Sequence, residues 1–84
     1  MKYQRNITFE SLKKKISSYI TDEKELNLIS KAYNFASEKH FGQKRLTGDD
    51  YIIHPLNVAY ILTSIKADAD TLSAALIHDV MEMC

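Results

Sequence analysis

"ALIHDVMEMC", Ala75 to Cys84, closes the chain on an apolar run that carries three ionisable groups. Apolar residues at Leu72, Ala75, Leu76, Val80 and Met83 recur at helical spacing. Asp79 falls on that same stripe, while His78 lies about 100° round the helix and shares a face with Glu82 at i+4. A carboxylate on the buried stripe of a helix needs a partner or a cation. Asp79 therefore marks either a satisfied internal pair with His78 or neighbouring backbone, or one side of a cation site.

Working outward, the rest of the chain supports an all-α reading. Two glycines and one proline occur in 84 residues, all between Gly42 and Pro55. Thr8 is the expected N-cap of a first helix, with Phe9, Leu12, Ile16, Tyr19 and Ile20 on one face. Asp22 opens a second helix, with Asp22 and Glu25 spaced as a capping box. Its buried stripe is Ile29, Ala32, Tyr33 and Ala36, continued by His40. The polar stretch FGQKRLTGDDYIIHP then supplies a loop of about 13 residues, a length that is usually functional when no regular structure fills it. A third helix is expected to start near Pro55, and its apolar residues on nearly every side predict heavy burial. Asp68 or Asp70 caps the fourth helix. Tyr51-Ile52-Ile53 is β-prone but too short for a strand.

Composition narrows the class. Charged residues make up 26% and balance to a net charge of zero. That excludes a disordered polyelectrolyte and disfavours a DNA or general nucleic-acid binder. Lys13-Lys14-Lys15 reads as a solvated helix face. The single cysteine, Cys84, cannot form an internal disulfide, and no apolar run approaches the 18 residues of a membrane span. MKYQRNITFE contains no signal-peptide core. A cytoplasmic protein is the expectation. A chain this short buries only about 60% of its unfolded surface, so a metal, a partner or further sequence is expected to support it.

The chemistry-bearing residues fall into two groups. His54, His78 and Asp79, spaced H-x23-H-D, form a set of nitrogen and oxygen donors suited to Mn, Fe, Zn or Mg. Three protein ligands leave coordination positions for water, as a hydrolytic metal requires. Lys44 and Arg45 stand in the loop between the two glycines. They are either solvated charges or the cations that grip phosphate, with arginine also able to fork to or stack on a base.

Two blocks in order carry a resemblance. The stretch AYNFASEKHFGQKRLTGDDYIIHPLNVAYIL contains H-x-G-Q-x-R, then G, Y-x-x-H-P, V-A and L, and DADTLSAALIHDVME contains A-A-L-x-H-D-V-x-E. Together they resemble the N-terminal hydrolase domain of RelA/SpoT homologues over roughly residues 30–82. The resemblance implies an all-helical HD-domain-like bundle, of which residues 1–84 supply a single partial domain with the first four or so helices. It implies a Mn²⁺-dependent enzyme that removes the 3′ pyrophosphate of (p)ppGpp to give GDP or GTP in the stringent response. His54, His78 and Asp79 then map to metal ligands, Arg45, with Lys44 beside it, to the nucleotide grip, and Glu82 to the acid that activates or orients water.

The chain departs from the pattern at Met83, where the family usually has a second acid, at Leu46, often basic, and at Asp50, often proline. The family's fourth metal ligand falls beyond residue 84. These departures keep open a degenerate, non-catalytic HD module that binds nucleotide or a partner chain. The fourth helix reaches Cys84 without a stop signal, so its last carbonyls and the open apolar faces of helices three and four are expected to favour association, including with a second copy.

Overall fold

The computed structural model describes residues 3–44, 46 and 48–83, with the side chains of Asp79, Met81, Glu82 and Met83 excepted. The described residues form four helices: α1 (Phe9–Ser17), α2 (Glu23–Lys39), α3 (Ile53–Thr63) and α4 (Ala69–Met83). This is the all-α architecture the periodicity predicts. α4 is the central element, packed on α2 and α3, and α1 closes the bundle against α3 and α2. Leu12 and Ile16 of α1, Ile29 of α2, Leu56 of α3 and Leu72 and Leu76 of α4 are fully buried at the common centre. Burying each stabilises the fold by about 1.5–3 kcal/mol relative to exposure.

The helix starts follow the local chemistry with one exchange. Thr8 caps α1, and the reciprocal capping box forms here, between Thr8 and Ser11. At α2 the Asp22 carboxylate accepts from the Lys24 amide, and no reciprocal bond from Glu25 accompanies it. The capping box expected at Asp22–Glu25 is thus a simple N-cap. Asp68, rather than Asp70, caps α4 by accepting from the Thr71 amide at 2.8 Å. α2 ends at the buried His40.

α3 starts two residues before the expected position, and for a specific reason. Ile52 supplies no side-chain cap. The first donors of the helix are instead taken by the preceding turn: Ile53 N–H by Asp50 C=O at 3.1 Å, His54 N–H by Tyr51 C=O at 3.1 Å and Leu56 N–H by Ile52 C=O at 3.2 Å. Pro55 has no N–H to satisfy, so the turn leads into a helix without a capping side chain.

Two expectations are corrected. The heavy burial of α3 has one open edge: Pro55, Leu56, Asn57, Ala59 and Thr63 are buried, but Ile61 is 46% exposed and Ile65, just past the helix, 74%. The side of α3 that carries Ile61 is open among the described residues, and apolar periodicity cannot tell a covered face from an open one. The 41–55 stretch is also not structureless, because Lys44 and Asp50 form an isolated antiparallel bridge. That bridge closes a small hairpin over residues between them. Gly48 turns at φ 90°, and Gly42 leaves α2 at φ 82°, both in the left-handed region that favours glycine.

The segment before α1 is tied to α3 by Asn57. Its side-chain oxygen accepts from the Gln4 amide at 2.6 Å, and its nitrogen donates to Gln4 C=O at 2.9 Å and Ile53 C=O at 2.8 Å. Asn57 is 4% exposed, so the bonds replace water that burial removes. Among the described residues no helix is long and apolar enough to cross a membrane.

Candidate functional site

His54 and His78 come from different helices and line one cleft. His54 stands in the first turn of α3, where the turn just described fixes its backbone. His78 lies in the C-terminal half of α4 and is exposed. Between them is a cleft of about 250 Å³ whose remaining walls are Pro55, Val58 and Ala75. Ala75 precedes His78 by three residues, so its small side chain leaves room on the same face of α4. Two imidazoles on one cleft supply nitrogen donors of the kind that bind borderline divalent metals.

The third expected donor is next to this pair in the chain. Asp79 is on α4 directly after His78, and Glu82 is one turn further along the same helix. Their side chains lie outside the described residues. Among the described residues no group of three His, Cys, Asp or Glu side chains converges. The donors whose side chains are described, His54 and His78, fit a divalent cation by chemistry and by their common cleft.

Lys44 stands on the hairpin. Lys44 is ion-paired with Asp50, both side chains being about three-fifths exposed (60% and 62%). Its positive charge is therefore shared with a carboxylate at the position noted above as a departure. Arg45 lies outside the described residues. The hairpin is anchored further by Arg5, whose Nε and Nη2 donate to Asp49 Oδ1 at 3.2 and 3.0 Å. A second cavity of about 330 Å³ lies beside the hairpin, with Lys44, Asp50 and His40 among its walls.

Three residues that support this arrangement are absent from the sequence-derived site. His40 is 3% exposed, its ring stacks on Tyr51 with centroids 4.5 Å apart, and its Nδ1 is 3.0 Å from Gln43 Oε1. Gln43 and Tyr51 also pair through the backbone, Tyr51 N–H donating to Gln43 C=O at 3.0 Å. The sequence signal for His40 was its place on the buried stripe of α2. Nothing local in Gln43 or Tyr51 announced a pairing across the hairpin.

Residues 32–84, more than half of the chain, match the family model described as HD domain. The chain belongs to the HD domain family. The matched HD segment includes both histidines, Asp79, Glu82 and the hairpin. Among its relatives, the guanosine-3′,5′-bis(diphosphate) 3′-pyrophosphohydrolase of Aquifex aeolicus is 51% identical over 73 residues, 87% of this chain and 10% of that protein. The protein of the same name from Spiroplasma citri is 46% identical over 78 residues, 93% of this chain and 10% of its own length. The bifunctional (p)ppGpp synthase/hydrolase SpoT of Escherichia coli is 45% identical over 74 residues, 88% of this chain and 10% of that protein. The HD chain thus spans about a tenth of the length of the curated relatives it matches.

Proposed function

We propose that residues 1–84 form one partial HD domain that carries the metal-binding and water-activating part of a (p)ppGpp 3′-pyrophosphohydrolase. The observation that carries this reading is the meeting of His54 and His78 on one cleft. The similarity to proteins named for that activity supports it.

In this reading His54, His78 and Asp79 would hold Mn²⁺, which would supply Lewis acidity at the reacting phosphate. Glu82, four residues after His78 on α4, shares its face and takes a proton from the attacking water. The water oxygen bonds to phosphorus, the bond from that phosphorus to the ribose 3′ oxygen breaks, and pyrophosphate leaves. The proton taken up by Glu82 passes on through solvent to the departing 3′ oxygen, so the nucleotide keeps a 3′ hydroxyl as GDP or GTP. Arg45 grips phosphate or base with its planar fork, and Lys44 adds a point charge once it releases Asp50.

The test is turnover. The 84-residue chain is incubated with ppGpp and Mn²⁺, and released pyrophosphate is measured. Release that His78→Ala abolishes is the expected result; no release from the parent chain contradicts catalysis by it. Mn²⁺ uptake without release would favour the non-catalytic HD module, the reading suggested by Met83 in place of a second acid.

A further inference from the structure

We infer that His40 is a positioning residue that sets where His54 stands on the cleft. The inference rests on the reading of His54 as a metal ligand and adds a residue that does not itself touch the cleft.

His40 and His54 are joined by a short run of backbone hydrogen bonds. Gln43 N–H donates to His40 C=O at 2.9 Å, Tyr51 N–H to Gln43 C=O at 3.0 Å, and His54 N–H to Tyr51 C=O at 3.1 Å. The His40 side chain contacts both intermediate residues of this run, Gln43 through Nδ1 and Tyr51 through its ring. Because α3 has no side-chain cap, the carbonyls of Asp50, Tyr51 and Ile52 fix where its first turn begins. His54 is in that turn, so whatever holds Tyr51 also holds the backbone of His54.

The chemistry of His40 shows why a plain packing residue would not serve. Gln43 Nε2 donates to Lys39 C=O at 3.4 Å, which turns Gln43 Oε1 toward the ring. An amide oxygen accepts, so this contact selects a ring with its donor at Nδ1. Nε2 is buried and has no hydrogen-bond partner. Phenylalanine would fill the space without that cost. What histidine adds is a donor aimed at Gln43 together with a flat ring on Tyr51.

Two substitutions separate these contributions. His40→Phe keeps a ring for Tyr51 and removes the donor; His40→Asn keeps a donor at the δ position and removes the ring. Each is examined in the full chain by thermal unfolding, by NMR of the metal-free His54 and His78 imidazoles, and by calorimetric titration with Mn²⁺ alone. The expected result is a folded His40→Phe whose His54 signals move while those of His78 do not. Its Mn²⁺ affinity falls about tenfold, the low end for loss of an outer-shell support, and His40→Asn recovers part of it. Unmoved His54 signals in folded His40→Phe would overturn the inference, as would equal displacement of His54 and His78. If the parent chain takes up no Mn²⁺, the ligand reading fails, and the metal-free signals alone decide the positioning role. Should neither His40 variant fold, Gln43→Met removes the acceptor and must displace the His54 signals in the same way.

Discussion

His54 in the first turn of α3 and His78 in α4 line the same cleft, although one precedes and the other follows the α3–α4 connection. The arrangement predicts that the two act on a cation as a unit. His54→Ala and His78→Ala are each expected to weaken Mn²⁺ binding by more than the roughly 10–100-fold typical of outer-shell changes. The double variant is expected to lose little beyond either single one, because a cation that has lost one ligand gains little from the other. His78 is exposed on α4, so its removal leaves the buried core intact and the variants are expected to stay folded. Calorimetric titration and thermal unfolding of the three variants measure both effects.

Asp50 competes with any phosphate for Lys44. Asp50→Asn is expected to raise the affinity of the chain for ppGpp, most clearly at low salt. Exposed ion pairs are worth about 0.2–1 kcal/mol, so the gain is at most about fivefold. Equilibrium binding at two ionic strengths checks it, and unchanged affinity would remove Lys44 from the nucleotide grip.

Asn57 is the polar residue that closes the bundle around its N-terminal segment. Asn57→Leu leaves the Gln4 N–H and C=O without their partner and puts a branched side chain where a planar amide fits. Each buried group left unsatisfied costs about 1–3 kcal/mol, so a loss of at least about 2 kcal/mol is expected. Denaturant unfolding at constant m-value is the measurement.

Ser73 faces the core of α4 at 8% exposure, and its Oγ has no hydrogen-bond partner. Ser73→Ala removes an unsatisfied hydroxyl and improves helix propensity. The variant is expected to be more stable by about 0.5–1 kcal/mol, a rise of several degrees in Tm.

Two groups predict the pH dependence of stability. The Asp68 carboxyl is held below its usual range by hydrogen bonds from the Thr71 side chain and amide. A folded pKa below the unfolded one gives stability that is present above the unfolded value and is lost as pH falls through the folded value. Asp68→Asn keeps a capping oxygen and should flatten this acid limb. The Tyr19 hydroxyl, which donates to Ala67 C=O at 2.8 Å, is pushed up by burial and by the Asp68 charge. Its contribution is complete below the unfolded value near 10 and is lost as pH rises through the folded one. Tyr19→Phe should remove that alkaline loss, as unfolding measured across pH will show.

The sequence made the helices legible where a single residue carries the signal. Thr8, Asp22 and Asp68 cap their helices with their own side chains, and such local chemistry survives any tertiary setting. It was less informative where distant residues decide. Pro55 suggested the start of α3, but the carbonyls of Asp50 and Tyr51 move that start to Ile53. The hairpin depends on Lys44 meeting Asp50, and no local propensity encodes that meeting. Apolar residues on nearly every side of α3 predicted heavy burial, yet Ile61 is exposed, because only packing decides which apolar face is covered. Of the site, the spacing of His54 and His78 was visible from the start. The support beneath it, His40 on Tyr51 and Asn57 on Gln4, is built from contacts between residues far apart or across a turn.

On this reading His54 and His78 bind one divalent cation together. Titrating the 84-residue chain with paramagnetic Mn²⁺ while recording the imidazole Cε1–H signals tests it most directly. The His54 and His78 signals are expected to broaden together and saturate at one equivalent of metal. Broadening of one without the other, or of neither, would contradict it.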